Sequence, residues 1–135
     1  MKNSDLVALA IAAREKSYSP YSGFKVGAAL LTSDGKVYCG CNIENAAFGP
    51  TNCAERTAIF NAVSCGDRDF LKIAIVGGKD SISEKCFPCG VCRQVMAEFC
   101  REDFEIIVAS GVEDYSIYKL SDLLPNGFYP EKLKD

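Results

Sequence analysis

The sequence predicts an α/β fold of three layers, α/β/α, with helices packed on both faces of a mixed five-stranded sheet. Two patterns carry that prediction. Two strand-like runs flank an Asp-Gly turn, the mark of an antiparallel hairpin. Two further apolar runs, rich in Ile and Val, then alternate with segments of helical period, as strands covered on both faces do. The chain has 135 residues, 48% of them hydrophobic, enough for one ordinary core without staples. No internal repeat or linker composition interrupts it, so residues 1–135 are expected to form one domain.

The first helix is read from about Ser4 to Lys16. Leu6, Leu9, Ala10 and Ala13 recur at helical spacing among Asp5, Arg14, Glu15 and Lys16, with Ser4 set to cap it. A signal peptide would keep a continuous apolar centre, so this start is expected to belong to the mature chain and the protein is expected in the cytoplasm. Phe24 to Thr32 is the first strand, Ser33-Asp34-Gly35-Lys36 the turn, and Lys36 to Ile43 the returning strand. After a polar loop, Cys53 to Cys65 reads as a helix with Ala54, Ala58, Ile59 and Ala62 on one face and Gly66 as its stop. Phe70 to Val76 is a buried strand. Pro88 opens a third helix that runs from Cys89 to about Cys100. A strand from Phe104, a short edge strand over Tyr115 to Lys119, and a helical turn over Ser121 to Pro125 complete the fold.

Composition narrows the chemistry. A net charge of -3 argues against tracking a nucleic-acid backbone, and no run of about 18 apolar residues spans a membrane. There are 8 cysteines and no histidine. Catalysis through a Ser-His-Asp or Cys-His pair is therefore impossible, as is any His-ligated metal. Without an export signal, the cysteines point to metal binding or buried thiols rather than to a disulfide framework.

Two segments concentrate that chemistry, Cys53-Ala54-Glu55-Arg56 and Cys86-Phe87-Pro88-Cys89-Gly90-Val91-Cys92. Each sets a cysteine at the start of a helix, where unpaired amides and the helix dipole favour thiolate. Cys89 and Cys92 share a helical face, and Cys53 from a neighbouring helix completes three points of a tetrahedron. Three protein ligands leave a fourth position open, the form of a catalytic zinc site. Glu55 lies in the first helical turn, where a carboxylate can serve a water at that position. Arg56 follows Cys53 by three residues and can donate to sulfur, drawing charge from a site of net charge -1. Taken singly these features are ordinary, because Cys-x-x-Cys often means structural zinc or redox chemistry. Together they describe one geometry.

These motifs closely resemble those of the zinc-dependent cytidine deaminases of the small, homotetrameric class. The resemblance runs from Tyr21-Ser22-Gly23-Phe24 through Cys41-Asn42-Ile43-Glu44-Asn45-Ala46 and Pro88-Cys89-Gly90-Val91-Cys92-Arg93-Gln94 to Leu123-Leu124-Pro125-Asn126-Gly127-Phe128. It implies one zinc per subunit on Cys53, Cys89 and Cys92, which activates water for attack at C4 of cytosine. Glu55 would take the water proton, deliver it to N3, and later help protonate the leaving ammonia, with Arg56 supporting the ligands from behind. The Ala54 amide would meet the pyrimidine carbonyl, Asn42 and Glu44 the ribose hydroxyls, and Phe24 the nucleoside pocket. Tyr21, Phe48 and Phe128 would reach active sites shared between subunits of a homotetramer, with Phe128 stacking near the base. The family often has Tyr where Phe48 stands, so any hydroxyl contact there is lost. The substrate implied is a small nucleoside, cytidine or deoxycytidine, in pyrimidine salvage, and no nucleic acid or membrane partner is expected.

Three other readings are open at this level. A structural four-cysteine zinc site or an iron-sulfur cluster would use Cys86 as a further ligand, although Pro88 interrupts the cluster pattern. A sister class acts on nucleoside-like antibiotics and departs from the Asn-x-Glu pair that Asn42-Ile43-Glu44 keeps. A base-flipping nucleic-acid deaminase is disfavoured by the acidic charge. Cys39, Cys41, Cys65, Cys86 and Cys100 are expected to pack as small buried hydrophobes.

Overall fold

A computed structural model describes residues 1–82 and 84–133. The elements follow in the order α1 (Asn3–Arg14), β1 (Lys25–Thr32), β2 (Val37–Cys41), α2 (Ala54–Ser64), β3 (Phe70–Gly78), α3 (Gly90–Phe99), β4 (Glu105–Gly111), β5 (Asp114–Lys119) and α4 (Leu120–Leu123), with a 3-10 turn at Pro130–Leu133. The sheet order is β2-β1-β3-β4-β5. β3 and β4 are parallel, and the remaining neighbours are antiparallel. The mixed five-stranded sheet is the one expected.

Period-two burial on the strands divides the core in two. Ala29, Leu31, Ala74, Val76, Ile107 and Ala109 face Leu6, Val7 and Ala10 of α1. The alternate residues Ala28, Leu30, Ile73, Ile75, Ile106 and Val108 face Ala58, Ile59 and Ala62 of α2 and Met96 and Ala97 of α3. Leu6, Ile59 and Met96 are wholly buried, each removing apolar surface that stabilises the fold by about 1.5–3 kcal/mol. Both faces of the sheet are covered, which explains why β1, β3 and β4 read as nearly continuous apolar runs.

Local differences have local causes. Ser4 lies inside α1 and does not cap it; the Lys2 amide donates to the Asp5 carboxylate at 3.1 Å, moving the start back two residues. β3 continues past Val76 because Gly77 and Gly78 still pair with Val26 and Lys25. Of the five cysteines outside the two motifs' ligand positions, only Cys100 is buried. Cys41 and Cys86 are half-buried, and Cys39 and Cys65 are exposed. Cys39 sits on the edge strand and Cys65 caps the end of α2, so neither is enclosed by a neighbouring element.

One glycine sets the depth at which α2 docks. A Cβ at Gly40 of β2 would stand 2.5 Å from Ala58 N and 2.6 Å from Ala54 O. Those atoms are backbone, so the helix itself would have to move. Gly66, at φ +97°, then turns the chain away after α2. Gly40→Ala is expected to lower unfolding free energy by about 2–3 kcal/mol through overpacking. Urea melts check this, and the variant should also bind metal less well, because the displaced helix begins at Cys53.

Candidate metal centre and active site

Two helices deliver the chemistry by their N-termini. Cys53 is the N-cap of α2 and Cys89 the N-cap of α3; both have extended backbone before the first helical turn. Cys92 lies in the first turn of α3, and its amide donates to the Cys89 sulfur at 3.4 Å. The Sγ atoms of Cys53, Cys89 and Cys92 all lie within 4.8 Å of one another. Cys53 to Cys89 is 3.7 Å and Cys89 to Cys92 is 3.4 Å. Tetrahedral zinc with bonds of about 2.3 Å sets sulfurs about 3.8 Å apart. The donor set and its spacing therefore fit zinc. Cys86 stands outside this group, so among the described residues the cluster has three thiols and not the four of a closed site.

The electrostatics favour a thiolate at Cys53. The Cys53 thiol is lowered to about 5, chiefly because the Cys92 thiol donates to its sulfur, with Arg56 and Cys89 adding to the effect against the opposing cost of burial. The Cys92 thiol is pushed up for the reciprocal reason, with burial adding to it. Arg56 Nη2 donates to Cys53 Sγ at 3.3 Å. The Cys53 sulfur holds that guanidinium firmly charged, with Cys92 as a second partner. Its Nε is buried and, among the described residues, lacks a hydrogen-bond partner.

Glu55 occupies the first turn of α2 and is only 4% exposed. Burial is the main reason its carboxyl is pushed up to about 7, and the charge on Cys53 adds to it. Such a group can both take and give a proton near neutral pH. Ala54, before it, is fully buried as the first helical residue, and its amide belongs to the turn whose donors have no carbonyl within the helix.

The remaining predicted residues lie outside the sulfur cluster. Phe24 shares a pocket of about 300 Å³ with Gly77, Lys79, Lys85 and Cys86. A Cβ at Gly77 would lie 3.1 Å from both the Phe24 ring and Cys86 Sγ, so the three pack closely. Asn42 accepts from Val26 N at 2.9 Å and donates to Phe24 O at 2.8 Å. Glu44 accepts from the amides of Tyr21 and Ser22 at 2.9 and 3.1 Å, and from the Ser22 hydroxyl. These hydrogen bonds brace residues 21–26, a role that the strand-end spacing did not reveal. Tyr21, Phe48 and Phe128 are 62%, 92% and 55% exposed in the isolated chain. A larger cleft of about 820 Å³ at the far end of α3 holds none of the predicted site residues.

The defining pattern of the "Cytidine and deoxycytidylate deaminase zinc-binding region" matches residues 1–108. The chain belongs to that family. A cytidine deaminase of Halalkalibacterium halodurans is 48% identical over 135 residues, covering all of both chains. That of Sporosarcina psychrophila is 48% identical over 128 residues, 95% of this chain and 92% of its own. A crystal structure of the Burkholderia pseudomallei cytidine deaminase superposes with a TM-score of 0.87 at 48% identity, over 95% of this chain and 100% of that one. The Mycobacterium tuberculosis cytidine deaminase gives 0.82 at 38% identity, over 95% and 98% of the two chains. Membership in a zinc-binding deaminase family agrees with the donor set of the three thiols. No helix among the described residues is long and apolar enough to cross a membrane.

Two residues of α3 that the sequence reading left without a role also touch this region. Arg93 donates to Pro88 O and Leu123 O, both at 2.7 Å, and Gln94 donates to Phe128 O at 2.8 Å. Their adjacency to Cys92 was visible, but their carbonyl partners lie across the fold.

Burial of Glu55 gives a measurable linkage. Its folded value lies above the ordinary 4.5, at about 7, so the folded protein keeps a proton that the unfolded chain has released. The resulting stability is complete below pH 4.5 and lost as pH rises through about 7. Between pH 5 and 8, metal-free wild type should lose about 3 kcal/mol relative to Glu55→Gln. Urea melts of both proteins in chelator across that range check the slope and its sign.

Proposed function

We propose that this protein is a zinc-dependent cytidine deaminase, a hydrolase that converts cytidine and deoxycytidine with water into uridine and deoxyuridine and releases ammonia. It acts in pyrimidine salvage, as one domain over residues 1–135. The observation that carries the reading is the cluster of three thiols within 4.8 Å beside the buried Glu55. Cys53, Cys89 and Cys92 hold the metal. When bound there, zinc supplies the Lewis acidity that makes water a nucleophile at neutral pH.

The chain's own groups manage protons and orientation. Glu55 accepts a proton from the attacking water and delivers it to N3 of the ring. It then takes the second proton of that oxygen, from the new C4 hydroxyl, and passes it to the amine as the C4–N bond breaks and the carbonyl forms. A carboxyl pushed up to about 7 suits both directions of transfer. Arg56 draws charge from the Cys53 sulfur, 3.3 Å away, which offsets the excess negative charge of three thiolates. The Ala54 amide takes the pyrimidine carbonyl, and Phe24 flanks the base. Asn42 and Glu44 serve the ribose. One Nδ2 hydrogen of Asn42 is free for a hydroxyl after its bond to Phe24 O, and the half-buried Glu44 carboxylate has spare lone pairs.

The working unit is a homotetramer with one zinc per subunit, in the cytoplasm. Three loop aromatics, Tyr21, Phe48 and Phe128, support shared sites, because exposing large apolar rings to water is unfavourable unless a surface covers them. Phe128 is the ring assigned to stack near the base of a neighbouring site, and Phe48, lacking a hydroxyl, contributes packing alone.

Two experiments test this. Wild type should abolish the cytidine ultraviolet band, while zinc-loaded Glu55→Gln should fall in kcat by about 10³-fold. Equal rates for the two would sink the assignment of Glu55, and no turnover by zinc-loaded wild type would sink cytidine as substrate. In multi-angle light scattering, wild type should have four times the subunit mass, and Phe48→Asp should shift it toward smaller species. A monomeric, fully active wild type would overturn the shared-site reading.

A further inference from the structure

The second turn of α3 makes two connections that the deamination chemistry does not use. Arg93 Nε donates to Pro88 O at 2.7 Å, and Arg93 Nη1 donates to Leu123 O at 2.7 Å. Pro88 is buried, so its carbonyl needs a partner inside the protein. That carbonyl belongs to the peptide joining Pro88 to Cys89, and fixing its plane fixes the approach of the chain to the Cys89 thiol. Leu123 is the last residue of α4, where helix carbonyls lack partners and a cation is favourable. One planar guanidinium thus spans the loop entering the metal cluster and the element that starts the C-terminal segment.

Gln94 makes the second connection. Its Nε2 donates to Phe128 O at 2.8 Å. Among the described residues, this hydrogen bond ties the backbone of residues 125–128 to the rest of the fold. The backbone of Phe128 is held while its ring stays 55% exposed, ready to be presented outward.

We propose that Arg93 and Gln94 are positioning residues. Arg93 sets the Cys89 thiolate for zinc through the Pro88 carbonyl, and Gln94 sets the segment that presents Phe128 to the base. The inference rests on the reading of Cys89 as a ligand and Phe128 as a substrate contact. It divides α3 by function, with Arg93 reporting in metal affinity and Gln94 in substrate affinity. Lysine cannot replace Arg93, because a single ammonium does not offer a rigid fork to two carbonyls on different elements.

The test pairs zinc competition against a chromophoric chelator with kcat and KM for cytidine, on the intact protein below its unfolding range. Arg93→Lys and Arg93→Met should weaken zinc binding by about 10–100-fold, with KM of the zinc-saturated enzyme near wild type. Gln94→Met should keep wild-type zinc affinity and raise KM about five-fold. Adding Gln94→Met to Phe128→Ala should then raise KM no further. Wild-type zinc affinity in both Arg93 variants overturns the first half. Unchanged KM in Gln94→Met, or an additive effect with Phe128→Ala, overturns the second. If Phe128→Ala alone leaves KM unchanged, the substrate role of Phe128 has failed, and the Gln94 half falls with it. The Arg93 half is still decided by zinc affinity, and Gln94→Met decides the second half even if both Arg93 variants fail to fold.

Discussion

Three sulfurs within 4.8 Å of one another are the constraint on which the rest of this molecule turns. As thiolates they repel, and no single helix can bring all three together. The fold meets the constraint by aiming two helix N-termini at one point, so that N-cap residues Cys53 and Cys89 and first-turn Cys92 converge. Unpaired amides and helix dipoles at both ends favour the negative charge. The layered sheet supplies the rigidity, since α2 and α3 are bedded in one continuous core against β1, β3 and β4.

The same convergence explains the character of Glu55. A carboxylate at a helix N-terminus is ordinarily stabilised as the anion. Here burial and the nearby Cys53 charge outweigh that preference and push the carboxyl up to about 7. Arg56 acts on the other side of the balance through the Cys53 sulfur. Adjacent residues on one helical turn therefore tune opposite quantities, the basicity of a carboxylate and the charge density of a ligand.

Around this centre the architecture changes from buried helix to braced loop. Glu44 and Asn42, both half-buried, hold residues 21–26 through backbone amides and a carbonyl. On the far side, Arg93 and Gln94 connect α3 to Leu123 and Phe128. Helix α3 is thus a hub, with metal ligands at its start and links to the C-terminal segment one turn later. The rings of Tyr21, Phe48 and Phe128 stay exposed on the single chain.

The amino-acid sequence by itself determined the periodicities, and through them the hairpin, the alternation and both helix starts. It also determined the donor set, because the lack of histidine leaves cysteine and carboxylate as the only chemistry at Cys53, Glu55, Cys89 and Cys92. Local pattern sufficed there because the deciding interactions span three or four residues, as with Cys89 and Cys92 or Cys53 and Arg56. It did not suffice for Ser4, where the Asp5 carboxylate bonded the Lys2 amide and moved the cap, or for Cys39 and Cys65, whose exposure depends on where the sheet and helix end. Only the tertiary structure decided that Cys86 stands outside the sulfur cluster, that Gly40 admits α2, and that Arg93 meets Leu123. Each of those depends on atoms far apart along the chain, whose separation is set by how helices seat on a twisted sheet rather than by any local periodicity.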